Sequence, residues 1–438
     1  MVSENQVLEA LSKIIDPDFQ RDIVSLGFVK HLKIEGGTVS FDIELTTPAC
    51  PLKPVFKQQA IDRVSGISGV DRVEVEMTAR KRSRPAVSDE ESGLKEVKTI
   101  LAVSSCKGGV GKSTVAAMLA LTLARRGFAV GLLDADLFGP SVPTLFNVHE
   151  QGVDVTPERR FSPRTTPEGL KLMSFGFLVG DGPAVMRGPM VSQYVQQLLH
   201  RVAWGELDYL IVDMPPGTGD VQLTLAQSAR IDAAVIVTTP HQLALTDVRK
   251  GILMFDKVNV PVIGVIENMS WFECDGCGKR HRIFGEAGAK ALERAFGLEI
   301  LAEIPLLGAS AAGPERLPGP EVADPTTDAT MRALGRRSAE ETDVPDVSFD
   351  AERIVLHWPG RGERLSVPNA KLRRACNCAL CVDEMTNRPL LDPKAVPDDV
   401  RAENVSIIGN YAVAVDWSDG HNTGFFPYSL MRELAEGT

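Results

Sequence analysis

The spacing of apolar residues changes along this chain, and each change marks a different kind of element. In residues 7–15 the apolar positions are Val7, Leu8, Leu11, Ile14 and Ile15, a helical spacing that Asp16-Pro17-Asp18 stops. Val39, Phe41, Ile43 and Leu45 then alternate with polar residues, which predicts a strand. Residues 55–64 return to helical spacing behind Pro54, a residue suited to a first helical position, and residues 70–77 read as a second strand. From Lys98 to about Ala339 the alternation gives way to mainly apolar runs at residues 100–103, 128–133, 207–212, 233–237 and 262–266, with helical segments between them. Runs of that kind are strands covered on both faces. They predict an α/β domain built on a doubly wound, mostly parallel sheet. Residues 305–325 are rich in glycine and proline and close this region, with a last helix expected over 330–341. Beyond residue 348 alternation returns at 353–358 and 411–417, followed by a short helix at 428–434.

This pattern divides the chain into a small α/β domain (1–80), a linker (81–97), a large α/β domain (98–342) and a β-rich domain (348–438). Residues 81–93 are polar, charged and without apolar period, which is linker composition. A length of 438 residues accommodates about three domains. The net charge of −11 argues against whole-molecule binding to a nucleic-acid backbone. No apolar run approaches the ~18 residues of a membrane span, and the first residues show no signal-peptide pattern. The expectation is therefore a protein with no nucleic acid partner and no membrane insertion.

The strongest chemical signal is Ser105-Cys106-Lys107-Gly108-Gly109-Val110-Gly111-Lys112-Ser113-Thr114, between the apolar run 100–103 and the helical run 115–124. Strand, glycine-rich loop and helix in that order form a phosphate loop. Its glycines let backbone N–H groups face phosphate oxygens, and the helix N-terminus adds partial positive charge. Lys112 reaches the β/γ-phosphates and Ser113 ligates Mg²⁺. Lys107 is a second lysine that this cradle does not need. In a face-to-face dimer it can reach the partner's nucleotide, as an arginine finger does. The string resembles the deviant phosphate loop of the SIMIBI ATPases, a class that includes the nitrogenase iron protein, septum-site and plasmid-partition ATPases, and the Mrp/ApbC iron–sulfur carriers.

Carboxylates gather after the other strands, where ligands bind in open α/β sheets. Asp213 opens Asp213-Met214-Pro215-Pro216-Gly217-Thr218-Gly219-Asp220 and is placed like an acid on the Mg²⁺ side. Asp134 and Asp136 end the neighbouring run, where one can hold a Mg²⁺ water and the other can orient the attacking water.

The seven cysteines change the picture again. Five lie in two tight clusters, which is no disulfide framework and fits thiolates used for metal in a reducing compartment. Cys274-Asp275-Gly276-Cys277 is a two-thiol knuckle, so one chain offers half a site; a redox pair and a zinc half-site are the alternatives to a cluster. Cys376-Asn377-Cys378-Ala379-Leu380-Cys381 is spaced for one metal. His421 is the candidate fourth ligand, with His357 in reserve. A structural Zn²⁺ site and a second cluster site both remain open. Cys50 is a lone thiol in Thr46-Thr47-Pro48-Ala49-Cys50, and Cys106 reads most simply as a small loop residue.

Taken together, Cys106 to Thr114, Asp134-Ala135-Asp136-Leu137-Phe138-Gly139-Pro140-Ser141, Met186-Arg187-Gly188-Pro189-Met190, Asp213 to Asp220 and Glu267-Asn268-Met269-Ser270 resemble the Mrp/ApbC family. The resemblance implies that Asp136 positions the attacking water, that Asp134 and Asp213 lie near Mg²⁺ and that Asn268 faces adenine. It also implies that Cys274 and Cys277, doubled by dimer symmetry, hold a bridging [4Fe–4S] cluster. Asp16-Pro17-Asp18, Ile23-Val24-Ser25-Leu26-Gly27 and Thr47-Pro48-Ala49-Cys50 resemble the SufT-like domain of iron–sulfur assembly factors, which makes Cys50 a candidate cluster or partner ligand. The CxCxxC with a later histidine resembles the zinc-binding domain at the front of γ-butyrobetaine hydroxylase. This three-part order is similar to the plastid branch of the Mrp family, which serves photosystem I assembly, and to bacterial homologues. The implied protein is a homodimeric ATPase using ATP and Mg²⁺. It carries a [4Fe–4S] cluster to apo iron–sulfur proteins, takes it from scaffold proteins, and works in a bacterial cytoplasm or a plastid stroma. A positioning ATPase and an ATP-driven electron-transfer protein are the alternatives.

Overall fold

The structure, a computed structural model, describes residues 2–47, 49–79, 93–137, 139–148, 152–179, 188–240, 244–274, 276–284, 288–306, 317–340, 345–359, 362–378, 380–382, 388–409 and 411–436. Most of the expected linker, residues 341–344, and Pro48, Phe138, Met186, Arg187, Asp275 and Ala379 of the motifs lie outside the described residues. The chain forms two compact units, residues 1–86 with 327–341, and residues 87–326 with 342–438.

The first unit begins with α1 (Glu4–Leu11), closed at its start by a capping box in which Ser3 and Gln6 bond each other's backbone N–H. Two short strands, β1 (Ile15–Asp16) and β2 (Arg21–Asp22), pair around the Asp16-Pro17-Asp18 turn. β3 (Val29–Glu35) runs antiparallel to β4 (Thr38–Leu45), whose buried residues alternate as the sequence predicts. α2 (Lys53–Ser65) crosses over so that β5 (Arg72–Ala79) lies parallel to β4. Val7, Leu11, Phe41, Ile43, Phe56 and Val64 form the core between helices and sheet. Asp18 in the β1–β2 turn pairs with Arg336, 3.3 Å away.

The second unit holds an eight-stranded sheet. Its first part is β6 (Val97–Ser104), α3 (Lys112–Arg125), β7 (Val130–Asp134), α4 (Val142–Leu145), β8 (Arg164–Thr165) and β9 (Lys171–Ser174). After α5 (Phe175–Val179) and α6 (Gly188–His200) come β10 (Leu207–Asp213), α7 (Asp220–Ala229), β11 (Ala233–Thr238), α8 (Ala244–Lys257) and β12 (Val262–Glu267). A small hairpin, β13 (Phe272–Glu273) with β14 (Arg280–His281), precedes α9 (Gly288–Phe296) and β15 (Ile300–Glu303). The strand order is β15-β12-β11-β6-β10-β7-β9-β8, with every pairing parallel except β8 against β9. β6 sits at the centre, where the sheet grows in both directions, so the loop after it opens at the topological switch point. All five residues of β7 and all six of β11 are buried, which explains why these strands read as runs and not as alternation.

α10 (Pro320–Glu340) starts ten residues before the helix expected at 330. Pro325 hides this start in the sequence. In the second turn its missing N–H costs a single intrahelical bond, and its fixed φ suits the helix. The Thr326 hydroxyl donates to the Val322 carbonyl across the same turn.

The last part of this unit is two three-stranded antiparallel sheets. β16 (Asp346–Phe349), β17 (Arg353–Trp358) and β18 (Glu363–Pro368) form one, and α11 (Asn369–Arg374) follows directly. β19 (Ala402–Ile408), β20 (Ala412–Trp417) and β21 (Phe425–Pro427) form the other, before α12 (Tyr428–Glu436). Their inward faces share one core with Trp358, Trp417, Phe426, Met431, Cys376 and Cys381. α12 spends its apolar face, Tyr428 and Met431, in this core. Among the described residues no helix is long and apolar enough to cross a membrane.

Candidate nucleotide site and metal centre

The phosphate loop leaves β6 at Ser104 and ends where α3 begins at Lys112. Gly109 (φ +77°) and Gly111 (φ +81°) take left-handed backbone that side chains rarely adopt. Gly111 is doubly constrained, because a Cβ there would come within 2.1 Å of Asn268 Nδ2. The Asn268 amide donates to the Val110 carbonyl at 2.9 Å, so the end of β12 braces the loop from the side. Asn268 thus holds the loop itself, a contact the sequence does not announce. The Ser105 hydroxyl donates to the Lys107 carbonyl, and the Gly217 N–H to the Ser105 carbonyl, so the loop after β10 touches the phosphate loop directly.

Four expected site residues meet around Lys112, which is 6% exposed. Its ammonium contacts Asp213 Oδ1, lies 3.7 Å from Asp136 Oδ2 and donates to the Ser113 hydroxyl at 3.2 Å. β10 and β7 pair in register, Asp213 opposite Asp134, and this sets the carboxylates side by side. Asp134 is fully buried and accepts from the Val142 N–H, the Ser174 hydroxyl and the Asp136 N–H. Burial first, and then the Asp213 charge, push the Asp134 carboxyl up to about 7. Burial also raises Asp213, opposed by Lys112. Asp213 Oδ2 is buried with no hydrogen-bond partner. An orphaned carboxylate oxygen beside Ser113 and two further carboxylates is a donor set suited to Mg²⁺.

The Asp134 shift has a consequence for stability. The folded chain holds a proton there that the unfolded chain releases at about pH 4. Its stabilising effect is complete below that pH and is lost as pH rises towards 7. Asp134→Asn, isosteric with the protonated acid, is expected to remove this slope. The gain at pH 8 in nucleotide-free protein is on the order of 4 kcal/mol. Thermal melts at pH 5 and pH 8 check it, and equal wild-type and variant slopes would disprove it.

Lys107 does not project freely. Its ammonium pairs at 2.7 Å with Asp247 in the first turn of α8. The only sequence sign of Asp247 is its position, an acid opening the helix after a strand that neighbours β6. Cys106 is half-buried against the same helix, and a Cβ on Gly251 would stand 2.9 Å from its Sγ. Burial pushes the Cys106 thiol up to about 12, which marks a packing residue and not a nucleophile.

The other thiols fall in three places. Cys274 and Cys277 form the turn between β13 and β14, closed by the Cys277 and Gly278 N–H groups on the Cys274 carbonyl. Cys277 is exposed and Cys274 half-buried. A hairpin turn, with no helix following the first cysteine, lacks the setting of a redox CxxC. Cys50 lies in the first unit beside Asp16 and Asp18, and burial raises its thiol to about 11.

Cys376, Cys378, Cys381 and His421 come together, with all four ligand atoms within 4.8 Å of one another. His421 Nε2 is 3.2, 3.6 and 3.8 Å from the sulfurs of Cys376, Cys378 and Cys381. A tetrahedral zinc with Zn–S of about 2.3 Å and Zn–N of about 2.0 Å needs S···N edges near ~3.5 Å, so the donor set fits. His357, the reserve ligand, is exposed on β17 and outside this group. The surroundings complete the site. Arg373 Nη1 donates to Cys381 Sγ while its Nε bonds Asp419, and the other Asp419 oxygen accepts the His421 N–H. Gly424 is small because a Cβ there would meet Cys376 Sγ at 2.7 Å.

Known proteins match the chain along most of its length. Residues 96–329 match the family described as NUBPL iron-transfer P-loop NTPase. Residues 4–77 match an iron–sulfur cluster assembly protein family, and residues 346–432 the N-terminal domain of γ-butyrobetaine hydroxylase-like proteins. The chain is 43% identical over 446 residues to the chloroplastic Fe-S cluster assembly factor HCF101 of Arabidopsis thaliana, covering 99% of this chain and 83% of that protein. It is 42% identical over 323 residues to the iron–sulfur cluster carrier protein of Synechocystis sp., covering 73% of this chain and 91% of the relative. A solved nucleotide-binding protein from Archaeoglobus fulgidus, in complex with ADP, is 40% identical, with a TM-score of 0.45 over 54% of this chain and 90% of that one. The chain belongs to the iron-transfer P-loop NTPases, among the Fe-S cluster assembly factors and iron–sulfur cluster carrier proteins.

Proposed function

We propose that this protein is an ATP-hydrolysing carrier that holds a [4Fe–4S] cluster as cargo between the Cys274 and Cys277 thiolates of two protomers and passes it to apoproteins. The observation that carries this reading is a two-thiol turn, with Cys277 exposed, in the same sheet domain as a complete phosphate loop. Two thiolates satisfy half of a four-thiolate cluster, so a second copy completes the site. A cargo held at an interface is released when the interface opens.

ATP takes the place that Lys112 now fills with Asp213. The ammonium turns to the β/γ-phosphates, the loop N–H groups and Asn268-braced backbone cradle the chain of phosphates, and Asn268 borders the adenine. Ser113 and Asp213, with Asp134 behind them, would hold Mg²⁺, which spreads the phosphate charge. Asp136 orients the attacking water. Lys107 leaves Asp247 and reaches across to the partner's nucleotide, which makes hydrolysis depend on dimer closure. The Cys376, Cys378, Cys381 and His421 site takes Zn²⁺ in a structural role, and Cys50 in the N-terminal domain is a contact for cluster or partner. The domain limits 1–80, 98–342 and 348–438 follow the same division of labour. Scaffold proteins are the suppliers and apo iron–sulfur proteins the recipients, in a plastid or a bacterial cytoplasm.

Anaerobic reconstitution with iron and sulfide tests this. Wild type is expected to gain a brown charge-transfer absorbance and about two irons per chain, half of a [4Fe–4S] cluster. Cys274→Ser/Cys277→Ser is expected to lose both while keeping the zinc of the C-terminal site. A double variant that retains the cluster would sink the reading.

A further inference from the structure

Helix α8 has two working faces. Asp247 and Gly251, one turn apart, face the phosphate loop, with Asp247 paired to Lys107 and Gly251 packed under Cys106. Arg249 and Asp256, two turns apart, face the C-terminal sheets. Asp256 accepts the Gly409 N–H at 3.3 Å. Arg249 Nη2 donates to the Asn422 carbonyl at 3.1 Å, and its guanidinium lies 5.4 Å from the centre of the Phe425 ring. Residues 247 and 249 are two apart, so their side chains leave the helix in nearly opposite directions.

The segment Arg249 grips is the wall of the metal centre. His421 is a ligand, Asn422 accepts from Arg249, the Thr423 hydroxyl lies 3.1 Å from Cys378 Sγ, Gly424 makes room for Cys376 Sγ, and Phe425 lies under Arg249. Phe425 also stacks edge-on against Phe296 of α9. Burial lowers the Arg249 pKa, and the charges of Cys378 and Cys376 work against that fall, which places the guanidinium within electrostatic reach of the thiolates.

We propose that α8 is a relay between the phosphate loop and the Cys376, Cys378, Cys381 and His421 centre, with Arg249 as the positioning residue that makes metal holding depend on nucleotide. The inference rests on the reading that ATP draws Lys107 away from Asp247. With that pair intact, the first turn of α8 is tied to the loop and Arg249 clamps residues 422–425 over the ligands. When Lys107 leaves, the turn loses its tie, the clamp slackens, and the centre holds its metal less tightly. Linkage makes the effect reciprocal, so metal at the centre weakens ATP binding by the same factor.

The test uses the full chain in a Cys274→Ser/Cys277→Ser background, so that cobalt(II) reports the C-terminal centre through its thiolate charge-transfer band. Cobalt affinity is measured by chelator competition without nucleotide, with Mg²⁺-ADP, and with Mg²⁺ and a non-hydrolysable ATP analogue. The analogue is expected to lower affinity roughly fivefold or more, the scale of ordinary allosteric coupling. Arg249→Ala is expected to show the weakened affinity in every state with no nucleotide dependence and unchanged basal ATP hydrolysis, and Arg249→Lys to restore part of the dependence. Equal wild-type affinities in all three states, or a full nucleotide response in Arg249→Ala, would overturn the relay. The wild-type comparison decides the matter even where a variant fails to fold. Cluster loading at Cys274 and Cys277 is measured separately, so the relay and the carrier reading fail independently.

Discussion

Lys112→Ala is expected to cut ATP hydrolysis roughly a thousandfold, the scale lost when a preorganised charge on a reacting phosphate is removed. Lys112 is the cation in contact with Asp213, a carboxylate with no exposed surface, and it stands 3.7 Å from Asp136. Asp134 lies opposite Asp213 in the sheet, fully buried. Truncation leaves this group of acids without its counter-charge, a loss of about 3–5 kcal/mol when a buried pair is broken. The variant is therefore expected to melt well below wild type at pH 8, with the gap narrowing as the pH falls and the acids take up protons. Adding Asp213→Asn removes the stranded charge. The double variant is expected to recover much of the lost stability and none of the activity, a non-additivity that identifies the pair. Phosphate release and melting curves on the four proteins of the cycle check both halves. Hydrolysis by Lys112→Ala above a tenth of the wild-type rate would contradict the role given to Lys112.

The parts of this molecule legible in the sequence are those where chemistry forces local spacing. A phosphate loop needs its glycines and lysine within ten residues, between a strand and a helix, so β6, the loop and α3 follow from the order of residues. The metal centre is nearly as plain, because Cys376, Cys378 and Cys381 sit in one turn and His421 closes it from the end of β20. Contacts made across long separations left no such trace. Nothing in the string joins Asn268 to Val110 or Lys107 to Asp247, since each pair is set by the packing of one sheet strand or helix beside another. Strand β3 escapes for a local reason. The register slips between Lys30 and Lys33, and His31 takes a φ of +50°, so the alternation of Val29, Leu32 and Ile34 is broken by a bulge. Cys106 reads in the sequence as a small loop residue, and the structure packs it against Gly251 of α8.

Removing metal from the C-terminal centre is expected to unfold the sheets β16–β18 and β19–β21 and leave the eight-stranded sheet intact. Cys376 and Cys381 are 3% exposed and belong to the same core as Trp358, Trp417 and Phe426, so ligands and core are one structure. Arg373 of α11 donates to the Cys381 sulfur, a further tie between the ligands and the surrounding fold. Structural zinc contributes about 10–16 kcal/mol at neutral pH, against a net stability of about 5–15 kcal/mol for a whole domain. A small two-sheet unit loses that contest without its metal. The purified chain is expected to carry one zinc at this centre, and Cys381→Ser to carry none. The readout is near-ultraviolet circular dichroism, because Trp417 packs edge-on against Phe426 at 5.7 Å and Trp358 against Tyr428 at 5.3 Å. Those signals are expected to collapse in Cys381→Ser and in chelated wild type and to return on adding zinc to wild type. Trp204, fully buried among the strands of the larger sheet, is expected to keep its own signal. A Cys381→Ser chain that keeps a full equivalent of zinc and an unchanged tryptophan spectrum would show that the four ligands do not hold this fold together.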